Sequence, residues 1–194
     1  MIIGLGTGRC GTVSLSKLLQ RCNLKVTHEF PPSLEWQDGN IANRVKHMER
    51  HNLDGDVSFW YINYIDYLNK WYGKNNVKFV CLERSVDEVV KSYINKTQGR
   101  NHWMNHDGVR WRCDQYWDKC FPKYDVAEKD SSIELYCNNY NKLATKYDST
   151  MSNFKIFNMN LLNTEEGVKS ILEFLDINNN VSKDLVNIQT NKTL

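Results

Sequence analysis

A glycine-rich stretch near the start of the chain, GTGRCGT at residues 6–12, lies between an apolar opening, MIIGL, and a segment of helical period, VSLSKLLQRC. A turn of this kind between a strand and a helix presents successive backbone N–H groups at the positive end of the helix dipole. It can therefore bind an anion before any side chain contributes. Arg9 adds a positive charge inside the turn. The stretch predicts an anion-binding loop, and its surroundings must identify the anion.

A nucleoside triphosphate is the least supported anion. The Walker pattern G-x-x-x-x-G-K-[ST] can start at Gly6 and reach Gly11, but it then requires Lys at the next position and Ser or Thr after it. This chain has Thr12 and Val13 there. The missing lysine and the missing magnesium ligand argue against an ATPase or a GTPase.

A dinucleotide is a stronger alternative. The fingerprint G-x-G-x-x-G matches at Gly6, Gly8 and Gly11, and Glu29 lies near the end of the next predicted strand, where an acidic residue would hold a ribose. Arg9 inside the loop and the polar insertion before the third strand argue against it. A dinucleotide-binding oxidoreductase stays the alternative function, and a non-catalytic nucleotide-binding module is a third.

The stretch GTGRCGTVSL after a first strand resembles the 5′-phosphosulfate-binding loop of PAPS-dependent sulfotransferases. That family's loop carries a basic residue, a small residue, Gly and then Thr or Ser. The resemblance implies a P-loop-like turn that binds the cofactor PAPS, with PAP as product. The residues it assigns to the cofactor are Gly8, Arg9, Cys10, Gly11, Thr12, Val13 and Ser14. Helix N-capping is an equally good interpretation of the Thr12 and Ser14 hydroxyls.

A second stretch, LERSVDEVVKSY, resembles that family's second motif, in which an Arg ends a strand and a Ser follows in the next helix. These residues are Arg84 and Ser92. In that family the pair binds the 3′-phosphate of the nucleotide. An arginine offers a planar fork to a phosphate, and a serine offers a hydroxyl donor.

A third stretch, FKIFNMNLLNTEEGVKSILEFLDI, resembles the closing strand and helix of the same family and concerns the core. The resemblance covers about 1–30, 55–98 and 152–177. Segments 31–54 and 99–130 match nothing in the family, and we expect them to choose the acceptor.

The catalytic candidates follow from what sulfuryl transfer needs, which is stabilisation of charge on the transferred group and a base for the acceptor's proton. Arg9 is the candidate for charge stabilisation. For the base, VTHEF places His28 and Glu29 at the end of the second strand, where some carbohydrate sulfotransferases carry a catalytic Glu and others use a His. Adjacent strand residues point to opposite faces, so we expect only one to reach the cofactor, with Glu29 favoured.

Segment 99–130 concentrates tryptophans, arginines and histidines. One interpretation is a lid in which Arg100 contacts the nucleotide phosphates, the tryptophans offer flat faces to a sugar or an aromatic acceptor, and His102 or His106 is a reserve base. The other interpretation is a packed loop segment whose charged side chains face solvent, and both interpretations stay open.

The order of elements predicts an α/β fold, a single three-layer domain over residues 1–194 with a central, mostly parallel sheet. Short apolar strands alternate with helices, as in βαβ units. We predict helices over 12–22, 86–96, 132–148 and 164–175. Ser131 with Glu134, and Ser85 with Glu88, are predicted to cap two of them.

Composition excludes several classes of function. A net charge of +2 argues against a nucleic-acid surface, and the chain has no apolar run long enough for a membrane span. We therefore expect a cytoplasmic enzyme that acts on a small-molecule or carbohydrate acceptor, with its oligomeric state open. Six cysteines without a C-x-x-C pair predict free thiols. His47 and His51 have metal-ligand spacing without the H-E-x-x-H order, so no metal is predicted.

Overall fold

A computed structural model describes residues 1–37, 39–178 and 185–186. Within them, five strands form one parallel sheet in the order β2-β3-β1-β4-β5. The strands are β1 (Ile2–Gly6), β2 (Val26–His28), β3 (Gly55–Val57), β4 (Lys78–Glu83) and β5 (Phe154–Asn158). The predicted parallel α/β fold is confirmed. Residues 38, 179–184 and 187–194 of the predicted single domain lie outside the described residues.

The described helices are α1 (Thr12–Arg21), α2 (Ile41–Arg50), α3 (Ile65–Tyr72), α4 (Val86–Lys96), α5 (Lys129–Thr150) and α6 (Glu165–Phe174). Three 3₁₀ turns cover Phe59–Tyr64, Asp118–Cys120 and Met159–Asn163. None of these helices is long and apolar enough to cross a membrane.

Side chains of the central strands point alternately to the two faces of the sheet, and helices pack on both faces, which produces three layers. In β4, Phe79 and Cys81 pack in a core with α2, α3, α4 and α5, whereas Val80 and Leu82 pack in a second core with α1 and α6. Because both faces are covered, the strand is an apolar run rather than an alternating one. The carboxyl ends of the strands are left open as the place for a site.

Of the two predicted helix caps, Ser85 is confirmed as the N-cap residue of α4 and Ser131 is not that of α5. Helix α5 begins at Lys129 with Glu128 as N-cap, so Ser131 lies within its first turn and the predicted capping box is wrong. Ser85 is the N-cap of α4, but its hydroxyl donates to a Glu88 carboxylate oxygen at 2.6 Å instead of bonding the helix backbone.

The strand order bears on the dinucleotide alternative. In the dinucleotide-binding order 3-2-1-4-5-6, the second strand lies beside the first and brings its acidic end residue to the ribose. Here β3 separates β2 from β1. Glu29 is therefore displaced by one strand from that position, which weakens the dinucleotide interpretation.

Candidate functional site

A cavity of about 1020 Å³ opens at the carboxyl ends of the strands. Most of the residues predicted from the sequence to bind cofactor or to catalyse line it. These are Gly8, Arg9, Gly11, Thr12, Val13, Ser14, His28, Glu29, Arg84, Ser92 and Arg100. Three segments distant in sequence therefore meet at one space, as ligand sites of open parallel sheets do.

The loop between β1 and α1 is shaped to receive an anion. Gly8, Arg9 and Gly11 have φ values of 79°, 57° and 90°, a left-handed backbone that glycine tolerates and arginine rarely adopts. A Cβ at Gly8 would lie 2.0 Å from the Tyr93 hydroxyl, so only glycine fits there. Gly11 is the N-cap of α1, no side chain caps this end, and its first turn carries no acidic residue. The N-terminal N–H groups of α1 thus lack a side-chain acceptor.

Buried hydroxyl groups hold the loop from the protein side. Tyr93 and Tyr136 donate to the carbonyl oxygen of Thr7 at 2.6 and 2.9 Å, and the backbone N–H of Gly6 donates to the Tyr140 hydroxyl at 3.0 Å. The three tyrosines are almost fully buried. They occupy a loop carbonyl that would otherwise repel an anion, and they fix the loop before a ligand arrives.

The two sequence motifs meet at Arg9. Arg84 Nη1 donates to the carbonyl oxygen of Arg9 at 3.0 Å, and Arg9 Nε donates to Ser92 Oγ at 2.9 Å. Arg84 also pairs with Glu88 at 3.3 Å, while its Nε is buried without a hydrogen-bond partner. Arg9 of the loop, Arg84 after β4 and Ser92 of α4 thus line one wall of the cavity.

His28 and Glu29 both line the cavity, although adjacent residues of a strand point to opposite faces. The reason is the backbone. Strand β2 ends at His28, and Glu29 has a φ of 54°, so the alternation of an extended strand no longer applies. His28 Nε2 lies 3.0 Å from Thr12 Oγ1, and His28 Nδ1 lies 3.9 Å from a Glu29 oxygen.

Burial shifts the pKa values of Glu29 and His28 in opposite directions. It raises the pKa of the Glu29 carboxyl to about 7, and the negative charge of Asp56 adds to the effect. Burial lowers the pKa of His28, with Asp56 opposing it. A carboxylate that exchanges a proton near neutrality meets the requirement for a general base.

Cys10 differs from its neighbours in the loop. Its side chain is fully buried among residues of α1 and α6 and does not line the cavity. Burial raises the pKa of this thiol to about 11, so it is a packing residue, and only its backbone can contact a ligand. Thr12 and Ser14 do not cap α1, since Gly11 is the N-cap, and both line the cavity instead.

Segment 99–130 supplies a second wall. Arg100 lines the cavity but pairs with Asp114, Nε to Oδ2, at 3.4 Å. His102 and Trp117 also line it, whereas His106 does not. The segment is therefore part of the site, and some of its charges point elsewhere: Arg110 pairs with Glu128 and Arg112 bonds the Gln98 carbonyl.

Several lining residues were not predicted. Lys96 follows Ser92 by one helical turn, so the i, i+4 spacing could have revealed it, and Thr97 is the next residue. Phe59 and Phe121 add a stacked aromatic pair with ring centroids 4.4 Å apart. No local signal marks these two, because they come from a 3₁₀ turn and from the segment without periodicity.

His47 and His51 pack against each other and against Phe30, with ring centroids 4.8 to 5.3 Å apart. Among the residues that the structure describes, no group of three or more His, Cys, Asp or Glu side chains is placed to hold a metal ion. The two histidines thus form an aromatic cluster on α2 and at its end.

No protein-family model and no curated protein matches the chain. Among solved structures, it is similar to a gluconokinase from Sinorhizobium meliloti 1021, at 16% identity over 77% of this chain and 96% of that chain. The TM-score of 0.38 is too low to support an argument about function.

Proposed function

We propose that the chain is a PAPS-dependent sulfotransferase that transfers a sulfuryl group to a hydroxyl, or an amine, of a small-molecule or carbohydrate acceptor. The observation that carries the proposal is the bonded series Arg84, Arg9, Ser92. It joins the loop that resembles a 5′-phosphosulfate-binding loop to the pair that resembles a 3′-phosphate-binding pair. Two anion-binding groups at one cavity fit a nucleotide phosphorylated at both ends.

The charges of the cavity agree with such a ligand. Four cationic side chains line it, from Arg9, Arg84, Lys96 and Arg100. They face two carboxylates, Glu29 and Asp114. Bound PAPS would supply an activated sulfuryl group whose bond to the 5′-phosphate breaks as the acceptor oxygen attacks.

The protein's own residues would then act as follows. Arg9 and the N–H groups at the start of α1 stabilise the negative charge on the transferred group. Glu29 accepts the acceptor's proton, since the carboxylate form is populated near its pKa of about 7. His28, neutral and hydrogen-bonded to Thr12, fixes the position of the Thr12 hydroxyl beside the base.

Isothermal titration tests the nucleotide choice. The ligands are PAP, 5′-AMP, NAD and ATP, each with the unaltered chain and with Arg50→Ala, which removes an exposed arginine outside the cavity. We expect PAP to bind most tightly, and at least tenfold more tightly than 5′-AMP, because a charge-assisted phosphate contact contributes about 1.5–3 kcal/mol. Equal binding of PAP and 5′-AMP, or tighter binding of NAD, would reject the proposal.

A further inference from the structure

A second histidine–carboxylate pair lies in the cavity wall, away from the loop. His102 Nδ1 is 2.7 Å from Asp118 Oδ1, and His102 is only 4% exposed although it lines the cavity. The other Asp118 oxygen accepts the backbone N–H of Asp114 at 2.7 Å. Lys123 Nζ donates to the His102 carbonyl oxygen at 2.7 Å and also to that of Asp118. The pair is therefore fixed at both partners.

This geometry sets the hydrogen-bonding character of the ring. A carboxylate at 2.7 Å can only accept, so Nδ1 of the neutral imidazole must carry the hydrogen and Nε2 is left with a lone pair. Burial lowers the pKa of His102, with Asp118 opposing the shift, which favours the neutral ring. The residue thus offers a hydrogen-bond acceptor to whatever group reaches Nε2.

Aromatic rings pack beside this acceptor, and among them Phe59 and Phe121 are buried whereas Trp117 is half-buried. The His102 ring stacks on Phe121 at 5.7 Å and 15° between planes, and Phe121 stacks on Phe59 at 4.4 Å and 10°. Trp117 lies beside Phe59 at 6.4 Å between ring centroids. Flat surfaces of this kind pack against ring faces, aromatic or pyranose.

We propose that His102, held by Asp118, forms a subsite with Phe121 and Trp117 for a hydroxylated ring, and that Nε2 accepts a hydrogen bond from a ring hydroxyl that does not react. This inference rests on the proposed function in naming the acceptor of that reaction. His28 and Glu29 remain at the loop, because His28 bonds Thr12 there. His102 selects the acceptor and does not take the transferred proton.

The first test is made without turnover. The ¹⁵N spectrum of the imidazoles at neutral pH should show His102 as the Nδ1–H tautomer, and an Nε2–H tautomer would overturn the proposal. The protein is then titrated with four probes: phenol, anisole, methyl β-D-glucopyranoside and its tetra-O-methyl ether. We expect the hydroxylated member of at least one pair to bind about fivefold more tightly and to shift the His102 Nε2 signal, as one hydrogen bond predicts.

The two pairs of probes distinguish the source of the ring. A preference for phenol over anisole identifies an aromatic acceptor, and a preference for the glucoside over its ether identifies a sugar. Equal binding within both pairs, or no binding of any probe, would overturn the proposal.

Variants separate the subsite from the fold and from the nucleotide site. His102→Phe keeps a flat ring without the acceptor nitrogen and should remove the hydroxyl preference while PAP affinity stays unchanged. The matched control is His51→Phe, in the aromatic cluster of His47, His51 and Phe30, and it should keep the preference. If the unaltered chain fails to bind PAP but still prefers the hydroxylated probes, the nucleotide assignment fails and the subsite stands. A preference that survives in His102→Phe rejects the subsite.

Discussion

The glycine-rich loop of residues 6–12 and segment 99–130 face the same cavity, and different contacts hold them. Backbone geometry and buried tyrosine hydroxyls fix the loop, as in the bonds of Tyr93 and Tyr136 to Thr7. Side-chain pairs such as Arg100 with Asp114, and His102 with Asp118, fix the segment at the cavity. The loop is thus set before any ligand binds, whereas Arg100 would share its charge between Asp114 and any phosphate that it contacts.

The comparison predicts unequal effects of mutation. Preorganised donors around a developing charge are worth several kcal/mol to a reaction, because they need no rearrangement in the transition state. Partly exposed ion pairs contribute about 0–1 kcal/mol. We therefore expect large effects on the rate of transfer or on nucleotide affinity from changes on the loop side, and weak effects on affinity from changes in the segment.

The largest effect is expected at Glu29. Glu29→Gln keeps the shape but cannot accept a proton, so kcat for sulfuryl transfer from PAPS should fall by about a thousandfold, within the range for general bases. PAP affinity should stay nearly unchanged. His28→Asn should be the milder change, since it removes the contact to Thr12 and leaves the base in place.

The pH profile checks the same residue. In the unaltered chain, kcat/KM should rise with pH and level off above about 7, because the base must be deprotonated and burial raises the pKa of Glu29 to about 7. This ionisation should disappear in Glu29→Gln. An inactive His28→Asn beside a normal Glu29→Gln would reverse the assignment.

The next effect is expected at Arg9. Arg9→Ala should lower kcat by about a hundredfold, as the loss of one transition-state contact does, while PAP affinity falls less. Arg9→Lys keeps the charge but loses the Nε contact to Ser92, so its loss should be intermediate. If kcat survives and only KM for PAPS rises, Arg9 binds the donor without assisting the transfer.

Much of the fold follows from local pattern. Helices α1 and α4 begin at the predicted residues, Thr12 and Val86, because glycine or serine precedes a clear helical period at both places. Local pattern fails at Ser131, which is predicted to cap α5 but lies within its first turn. Strand β3 ends at Val57, because the aromatic residues that follow it form the Phe59–Tyr64 turn.

The contacts of the site likewise include some that local sequence predicts and others that it does not. Arg84 and Ser92 belong to one strand–helix unit, so their spacing predicts that both face the same cavity. Tyr140, whose hydroxyl accepts from the Gly6 N–H, is 134 residues away from it, and no local signal carries that contact. The pair of His102 and Asp118 lies in a segment without periodicity. Contacts of this kind depend on the packed chain, and sequence pattern alone does not give them.

The third effect concerns Arg84 and PAP. Arg84→Ala should weaken PAP binding by about thirtyfold, equivalent to about 2 kcal/mol, and 5′-AMP binding far less, so that the preference for PAP nearly disappears. Titration calorimetry measures both. Glu88→Ala is the control, because it removes the exposed partner of Arg84 and leaves the bond to the Arg9 carbonyl. Loss of affinity for both nucleotides alike would mean that Arg84 only supports the loop.

The smallest effect is expected at Arg100, and it tests most directly the contrast between the loop and segment 99–130. The Arg100 side chain is 42% exposed and already paired through Nε with Asp114, so a phosphate at its Nη groups shares its charge with that carboxylate. Arg100→Ala should therefore weaken PAP binding by only about threefold, the size expected for an exposed pair. Asp114→Asn should strengthen it by a similar factor, since it removes a carboxylate from the cavity while an amide oxygen can still accept the N–H groups of Tyr116 and Trp117. A loss of thirtyfold or more in Arg100→Ala would place Arg100 in the preorganised wall with Arg84, and the contrast between loop and segment would then be wrong.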